Sequence, residues 1–179
     1  FYMSVLKKLK VAVIGATGYT GLDLVHILSK HPKVDIQYLC ATKKIGKKIS
    51  SFDNRIKKKL PSVSSIKKVD WGKLDLVFMS LPNGGAQKII KQIFFKYEKL
   101  KFIDLSADYR YKSLDQWKKT YSKEASIYER RDYDLCEEAI YGLPEINAEE
   151  IAKARLIACP GCYPTSALIP LAPFLSQGI

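Results

Sequence analysis

The sequence predicts an α/β protein built on a mostly parallel sheet. Three observations carry this. Short apolar runs rich in β-branched residues alternate with segments whose apolar residues recur at helical spacing. A glycine-rich turn joins the first such run to the first helical segment. Hydrophobic residues make up 47% of the 179-residue chain and charged residues 27%, which is enough apolar material for a core. Strands alternating with helices make βαβ units, and these give parallel sheets.

The elements follow in chain order. Lys10-Val11-Ala12-Val13-Ile14-Gly15 reads as a buried strand. Leu22, Val25 and Leu28 then mark one face of a helix, which Pro32 stops. Val34 to Cys40 is a second strand. Residues 43–70 are Lys-rich and give no clear pattern. Leu74 to Ser80 is a third strand, closed by Pro82-Asn83-Gly84-Gly85. Ile89, Ile90, Ile93, Phe94 and Tyr97 share a helix face, and Lys101 to Leu105 is a further buried strand. Residues 111–137 are polar with scattered tyrosines, and their pattern is weak. Lys153 to Cys159 reads as a strand and the segment after Cys162 as a helix. Leu171 to Ile179 reads as a helix, its Gly stop and the first residue of something more, as if the chain were cut short.

Composition narrows the classes. Lys+Arg is 30 against 18 Asp+Glu, a net charge of +12, so anionic partners are favoured. Met3 reads as the natural start, and no secretory signal precedes the first strand. No stretch approaches the ~20 apolar residues of a membrane span. Cys40, Cys136, Cys159 and Cys162 show no disulfide spacing, which suits a reducing cytoplasm.

Gly15-Ala16-Thr17-Gly18-Tyr19-Thr20-Gly21 lies between the first strand and the first helix. Such a turn lets backbone N–H groups approach a pyrophosphate, and the helix N-terminus adds partial positive charge. The setting is that of a Rossmann-like dinucleotide site. NAD sites carry an acid at the end of the second strand to hold the ribose 2′-hydroxyl. Here that region reads Cys40-Ala41-Thr42-Lys43-Lys44, with no acid and two lysines, so the expected cofactor is NADP.

Cys159-Pro160-Gly161-Cys162 places a thiol at the start of a helix, where the helix dipole favours a thiolate. A thiolate can attack an acyl carbon and hold it as a thioester. Four readings of the spacing stand side by side: a nucleophile at Cys162, a dithiol redox pair, a metal pair, or two buried core cysteines. The metal reading lacks further ligands, since the only histidines are His26 and His31, and no metal is expected.

In order along the chain come Gly15 to Gly21, Val77-Phe78-Met79-Ser80-Leu81-Pro82-Asn83-Gly84 and Ile103-Asp104-Leu105-Ser106-Ala107-Asp108-Tyr109-Arg110. Tyr141-Gly142-Leu143-Pro144-Glu145-Ile146-Asn147 and Pro160-Gly161-Cys162-Tyr163-Pro164-Thr165 follow. This series resembles the N-acetyl-gamma-glutamyl-phosphate reductases of arginine biosynthesis, over roughly residues 10 to 178. The resemblance implies NADPH-dependent reduction of N-acetyl-glutamyl 5-phosphate to the semialdehyde, with release of phosphate. It implies Cys162 as the catalytic cysteine. It places Gly15, Thr17, Gly18, Tyr19, Thr20, Gly21, Thr42, Lys43 and Pro82 around the cofactor. Ser106 and Arg110 fall in a loop near the substrate, where an Arg can hold a phosphate or carboxylate bidentately.

The resemblance also sets the expected organisation. Residues 8–160 form an NADP-binding domain, and 161–179 open an α+β catalytic and dimerisation domain whose remainder is absent. There are departures. Thr42-Lys43 stands where the family usually has Ser-Arg, which keeps the charge and loses the planar fork. Cys159 stands where the family often has Asn. The family's catalytic histidine lies beyond Cys162, and no His follows Cys162 here. A lysine-pathway or aspartyl-phosphate reductase would share fold and thiolate; the Tyr-Gly-Leu-Pro-Glu segment favours the arginine branch over the aspartate one. A third reading, given the missing histidine, is a fragment that binds the nucleotide and is incomplete for turnover. The partner expected is a small acyl phosphate, with a homo-oligomer at full length and neither nucleic acid nor membrane. Between Lys43 and Lys73 there are 11 basic residues and two acids, but only Phe52 and Trp71 offer a stacking surface for nucleic-acid bases.

Overall fold

Three parallel strands make the sheet of the N-terminal half. β1 (Leu9–Ile14) lies between β2 (Val34–Cys40) and β3 (Leu76–Met79). Val11, Ala12 and Val13 are fully buried, so β1 is covered on both faces. That is why the strand reads as an unbroken apolar run rather than an alternating one. Ile14 sits in register with Cys40 on one side and Met79 on the other. The parallel pairing of β1 with β2 needs a crossover, and α1 (Tyr19–Lys30) supplies it. Val25 and Leu28 are buried, and the helix ends at His31, immediately before Pro32.

The computed structural model describes residues 7–121 and 133–178. The chain divides into two compact units, Phe1–Ser80 with Lys96–Lys101, and Leu81–Phe95 with Phe102–Ile179. This is a division by packing, and it cuts the chain elsewhere than residue 160.

The Lys-rich stretch of the first unit is not simply solvated. It holds two 3-10 turns, Ile49–Ser51 and Ile66–Lys68, and a third, Trp71–Lys73, follows directly. Ile49, Ile56, Val63 and Val69 are buried and pin it down. Gly46 N–H donates to the Val63 carbonyl, Val63 N–H to the Lys47 carbonyl, and Ser64 N–H to the Leu39 carbonyl of β2.

The second unit holds β4 (Lys101–Asp104), β6 (Leu156–Ala158) and β5 (Ile140–Tyr141), in that order and all parallel. Asp104 and Tyr141 both lie in register with Ala158. α2 (Gly85–Ile93) buries Ile90 and Ile93, and Phe94 is buried just beyond it. The helix ends before Tyr97, so the expected helix face is one residue set too long. Four elements here have no counterpart in the sequence reading: β5, α3 (Leu114–Tyr121), α4 (Tyr133–Glu138) and α5 (Pro144–Lys153). α3 is anchored by Trp117, which is 1% exposed. α6 (Cys162–Ser176) closes the unit. It has no buried residue, and Leu171, Phe174 and Leu175 are exposed by half or more. The Gly stop expected near the end is Gly178, at φ +72°. Part of the weak 111–137 stretch, residues 122–132, lies outside the described residues.

Candidate active site

The glycine turn hangs on the end of β2. Gly15, at φ +88°, and Ala16 both donate their N–H groups to the Cys40 carbonyl, at 2.9 and 3.0 Å. Gly18 N–H returns to the Gly15 carbonyl at 3.1 Å. Gly18 is then the N-cap of α1 without a side-chain cap, and no acid occupies the first turn. Thr17 is half-buried, while Gly18, Tyr19 and Thr20 are exposed. The three glycines have different reasons. Gly15 needs its positive φ. A Cβ on Gly21 would run into the Gly15 carbonyl and touch Ala16. A Cβ on Gly18 would meet only the Gly15 oxygen at 3.5 Å, an ordinary contact. Internal packing therefore does not require glycine at 18. A bare backbone at an uncapped helix start fits the close approach of a pyrophosphate.

Thr42 and Lys43 are exposed and lie two and three residues past the Cys40 carbonyl that holds the turn. The structure thus brings these candidates to one place in the first unit. Lys44 is different. Its backbone is at φ +65° and its ammonium sits 4.6 Å over the Phe52 ring, a cation–π contact.

The second unit gathers the other candidates. Pro82 is exposed in the turn before α2. The Asn83 side-chain oxygen accepts the Ala107 N–H at 3.0 Å. The Asp108 carboxylate accepts from Gly84 N–H at 2.5 Å and Gln87 N–H at 3.0 Å, so it caps α2. The Pro82–Gly84 turn is therefore clamped to the Ser106–Arg110 loop. Ser106 is 4% exposed, and its hydroxyl donates to Asp104 at 2.8 Å while accepting from Asp108 N–H at 3.1 Å. This hydroxyl shapes the loop from within instead of facing outward, because the two flanking carboxylates need donors and ordered backbone.

Arg110 lies half-buried against the cysteine turn. Its Nε donates to the Cys159 carbonyl at 2.8 Å, one terminal nitrogen to the Leu105 carbonyl at 3.2 Å and the other to the Tyr121 hydroxyl at 3.2 Å. A Cβ on Gly161 would come 3.2 Å from the guanidinium. Among the described residues no carboxylate forms an ion pair with it, although its charge acts on the buried Asp104.

The two cysteines of the turn differ sharply. Cys162 is the first residue of α6, after the N-cap Gly161, and is exposed. Cys159 is half-buried, directly after β6. Burial, and then the Asp104 carboxylate, push the Cys159 thiol up to about 11. Both are free thiols. Among the described residues no group of three His, Cys, Asp or Glu side chains is placed to hold a metal. Among the same residues no helix is long and apolar enough to cross a membrane.

Sequence reasoning passed over Asp104, Asp108, Asn83 and Tyr121. Burial, and then the Asp108 carboxylate, push Asp104 up to about 7. Burial also raises Asp108 against its backbone hydrogen bonds. The available signal was an acid inside the apolar run Phe102-Ile103-Asp104-Leu105, since a buried carboxylate demands partners.

Comparison with known proteins decides the family. The semialdehyde dehydrogenase, NAD binding domain profile matches residues 10–154. The chain belongs to the semialdehyde dehydrogenase NAD-binding family. A Prochlorococcus marinus (strain MIT 9301) protein named N-acetyl-gamma-glutamyl-phosphate reductase is 53% identical over 177 residues, 96% of this chain and 49% of that protein. Its namesake in strain NATL2A is 47% identical over 180 residues, 99% of this chain and 49% of its own. The chain spans about half the length of the curated relatives it matches. Among solved structures, aspartate semialdehyde dehydrogenase II of Vibrio cholerae complexed with ASA superposes with TM-score 0.67 at 23% identity, over 95% of this chain and 47% of that one. The Candida albicans aspartate semialdehyde dehydrogenase with NADP gives TM-score 0.56 at 18% identity, over 96% of this chain and 48% of that one. These structures show that the fold is the same. This semialdehyde dehydrogenase domain is accordingly one that takes a nicotinamide cofactor.

Proposed function

We propose that the chain is the cofactor-binding and thiol-bearing part of an N-acetyl-gamma-glutamyl-phosphate reductase of arginine biosynthesis, acting in the cytoplasm. Residues 8–160 bind NADPH and 161–179 open the catalytic domain. The observation that carries the reading is Cys162: an exposed thiol on the first residue of α6, with the Arg110 guanidinium against the preceding Gly161.

The chemistry follows from these positions. The Cys162 thiolate attacks the acyl carbon of N-acetyl-glutamyl 5-phosphate. The bond from that carbon to the phosphate oxygen breaks, phosphate leaves with the electron pair, and a thioester remains. A positive group beside the nucleophile stabilises the departing charge, and the approach of Arg110 to Gly161 supports that role for it. Ser106 serves the substrate side by fixing the loop that carries Arg110. When bound, the reduced nicotinamide supplies the hydride that converts the thioester to the aldehyde. Residues 15 and 17–21, with Pro82, would hold the cofactor, and Thr42 with Lys43 would take its 2′-phosphate. The exposed apolar side of α6, with Leu171 and Phe174, fits burial in a homo-oligomer of the longer protein.

The test is cofactor preference. A charge-assisted contact to the 2′-phosphate is worth ~1.5–3 kcal/mol, so NADPH should bind about tenfold or more tightly than NADH. Titrate both by fluorescence. Equal affinities, or tighter NADH, overturn the assignment of Thr42 and Lys43.

A further inference from the structure

The net charge of +12 is not spread evenly: between Lys43 and Lys73 eleven basic residues face two acids, a net of +9 within that segment. The structure shows what has happened to the acids. Asp53 and Asp23 are both taken by Arg55, at 2.7 and 2.5 Å, and Asp70 is taken by Lys73 at 2.9 Å. Nine lysines from Lys43 to Lys68 remain, all exposed, and among the described residues none of them is ion-paired.

The same contacts say where these lysines lie. Asp23 belongs to α1, four residues after its first residue Tyr19, which is about 6 Å along the axis. The Arg55–Asp23 pair therefore fastens the middle of the segment close to the helix start that carries the glycine turn. Lys44 on Phe52 ties the front of the segment to the same region, since Phe52 adjoins Asp53. Lys57, Lys58 and Lys59 follow Arg55 within four residues, a reach of at most ~14 Å. Lys44 and Lys57 to Lys59 are thus tied close to the start of α1 by these contacts.

We propose that the lysines of this segment beyond Lys43, from Lys44 to Lys68, are an electrostatic collector for the dinucleotide: they speed arrival of the polyanionic cofactor at the glycine turn and, unlike Lys43, have little part in holding it there. This rests on the cofactor reading above. Steering by a single-sign surface raises association rates by 10–10³ and fades as salt shortens the screening length. A surface for single-stranded nucleic acid is disfavoured because it needs aromatic faces among the lysines. Phe52 lies beneath Lys44 and Trp71 is half-buried.

The experiment is stopped-flow association of NADPH with the protein, followed by nicotinamide fluorescence, between 10 and 200 mM salt. At 10 mM the screening length is ~30 Å and covers the segment; at 100 mM it is ~10 Å and does not. Expected is a fall in the association rate of about tenfold across the range, with dissociation within twofold. The triple variant Lys57→Glu, Lys58→Glu, Lys59→Glu should associate at least about threefold more slowly at 10 mM and show a shallower salt slope. Replacing the same three by Arg should restore the normal rate. An unchanged association rate in the Glu variant overturns the proposal, as does a change confined to dissociation or a loss in the Arg variant. Absence of saturable NADPH binding in the unaltered protein overturns the cofactor reading and the collector together. Displacement of NADPH by micromolar single-stranded RNA would make the segment a nucleic-acid surface and also overturn it.

Discussion

Replacing Asp104 by Asn tests the buried carboxylates beneath the site. Asp104 is fully buried, with the Asp108 carboxylate nearby and Ser106 donating twice, from backbone and hydroxyl. Its carboxyl rises from 3.8 to about 7 in the folded protein. The raised value means that the folded state binds the proton more tightly than the unfolded chain. Stability from this group is thus full at pH values below about 4 and falls away as pH rises towards and past 7. Between pH 5 and pH 8 the loss is on the order of 2–3 kcal/mol. With a urea slope of about 2 kcal/mol per molar, the midpoint should drop by about 1 M. The assay is urea unfolding at the two pH values, read from Trp117, whose indole donates to the Ala107 carbonyl in the same loop; Trp71→Phe removes the second fluorophore. Asp104→Asn should abolish most of that drop, and so be relatively more stable at pH 8. Identical pH slopes in the two proteins would refute the argument that burial keeps this carboxyl protonated.

Two further outcomes follow from the site. Iodoacetamide at neutral pH should label Cys162 well before Cys159, because a thiol pushed up to about 11 is almost wholly protonated there; first labelling of Cys159 would contradict this. Gly21→Ala should cost ~1–3 kcal/mol, since its Cβ meets the Gly15 carbonyl. Gly18→Ala should stay within about 1 kcal/mol in stability yet weaken cofactor binding. Urea midpoints and NADPH titration read the two effects separately, and equal affinity of Gly18→Ala for NADPH would remove the reason given for that glycine.

Much of the fold was legible because β1, β2, α1 and β3 are built from long apolar patterns with clear punctuation. Val11 to Ile14 are buried as a run, and Pro32 falls just past the end of α1. The second unit was less legible for physical reasons. α3 rests chiefly on one buried side chain, Trp117, and β5 is two residues long, too short for a period. α5 has no buried residue, so its only sequence signals were Pro144 at its first position and Glu145 in its first turn. Of the candidate residues, the Gly15 to Gly21 turn after β1 and Cys162 at the start of α6 were visible because their residue types announce their local geometry. The roles of Asp108 and Asn83 were not, because hydrogen bonds between segments 21 to 24 residues apart leave no local pattern.

The central claim is that Cys162 carries the acyl group. Intact-mass spectrometry after incubation with freshly prepared N-acetyl-glutamyl phosphate measures this directly. The account predicts one hydroxylamine-labile acyl adduct, mapped by proteolysis to Cys162 and lost in Cys162→Ala, with Arg110→Ala forming it more slowly. No adduct, or an adduct that persists in Cys162→Ala, would contradict it.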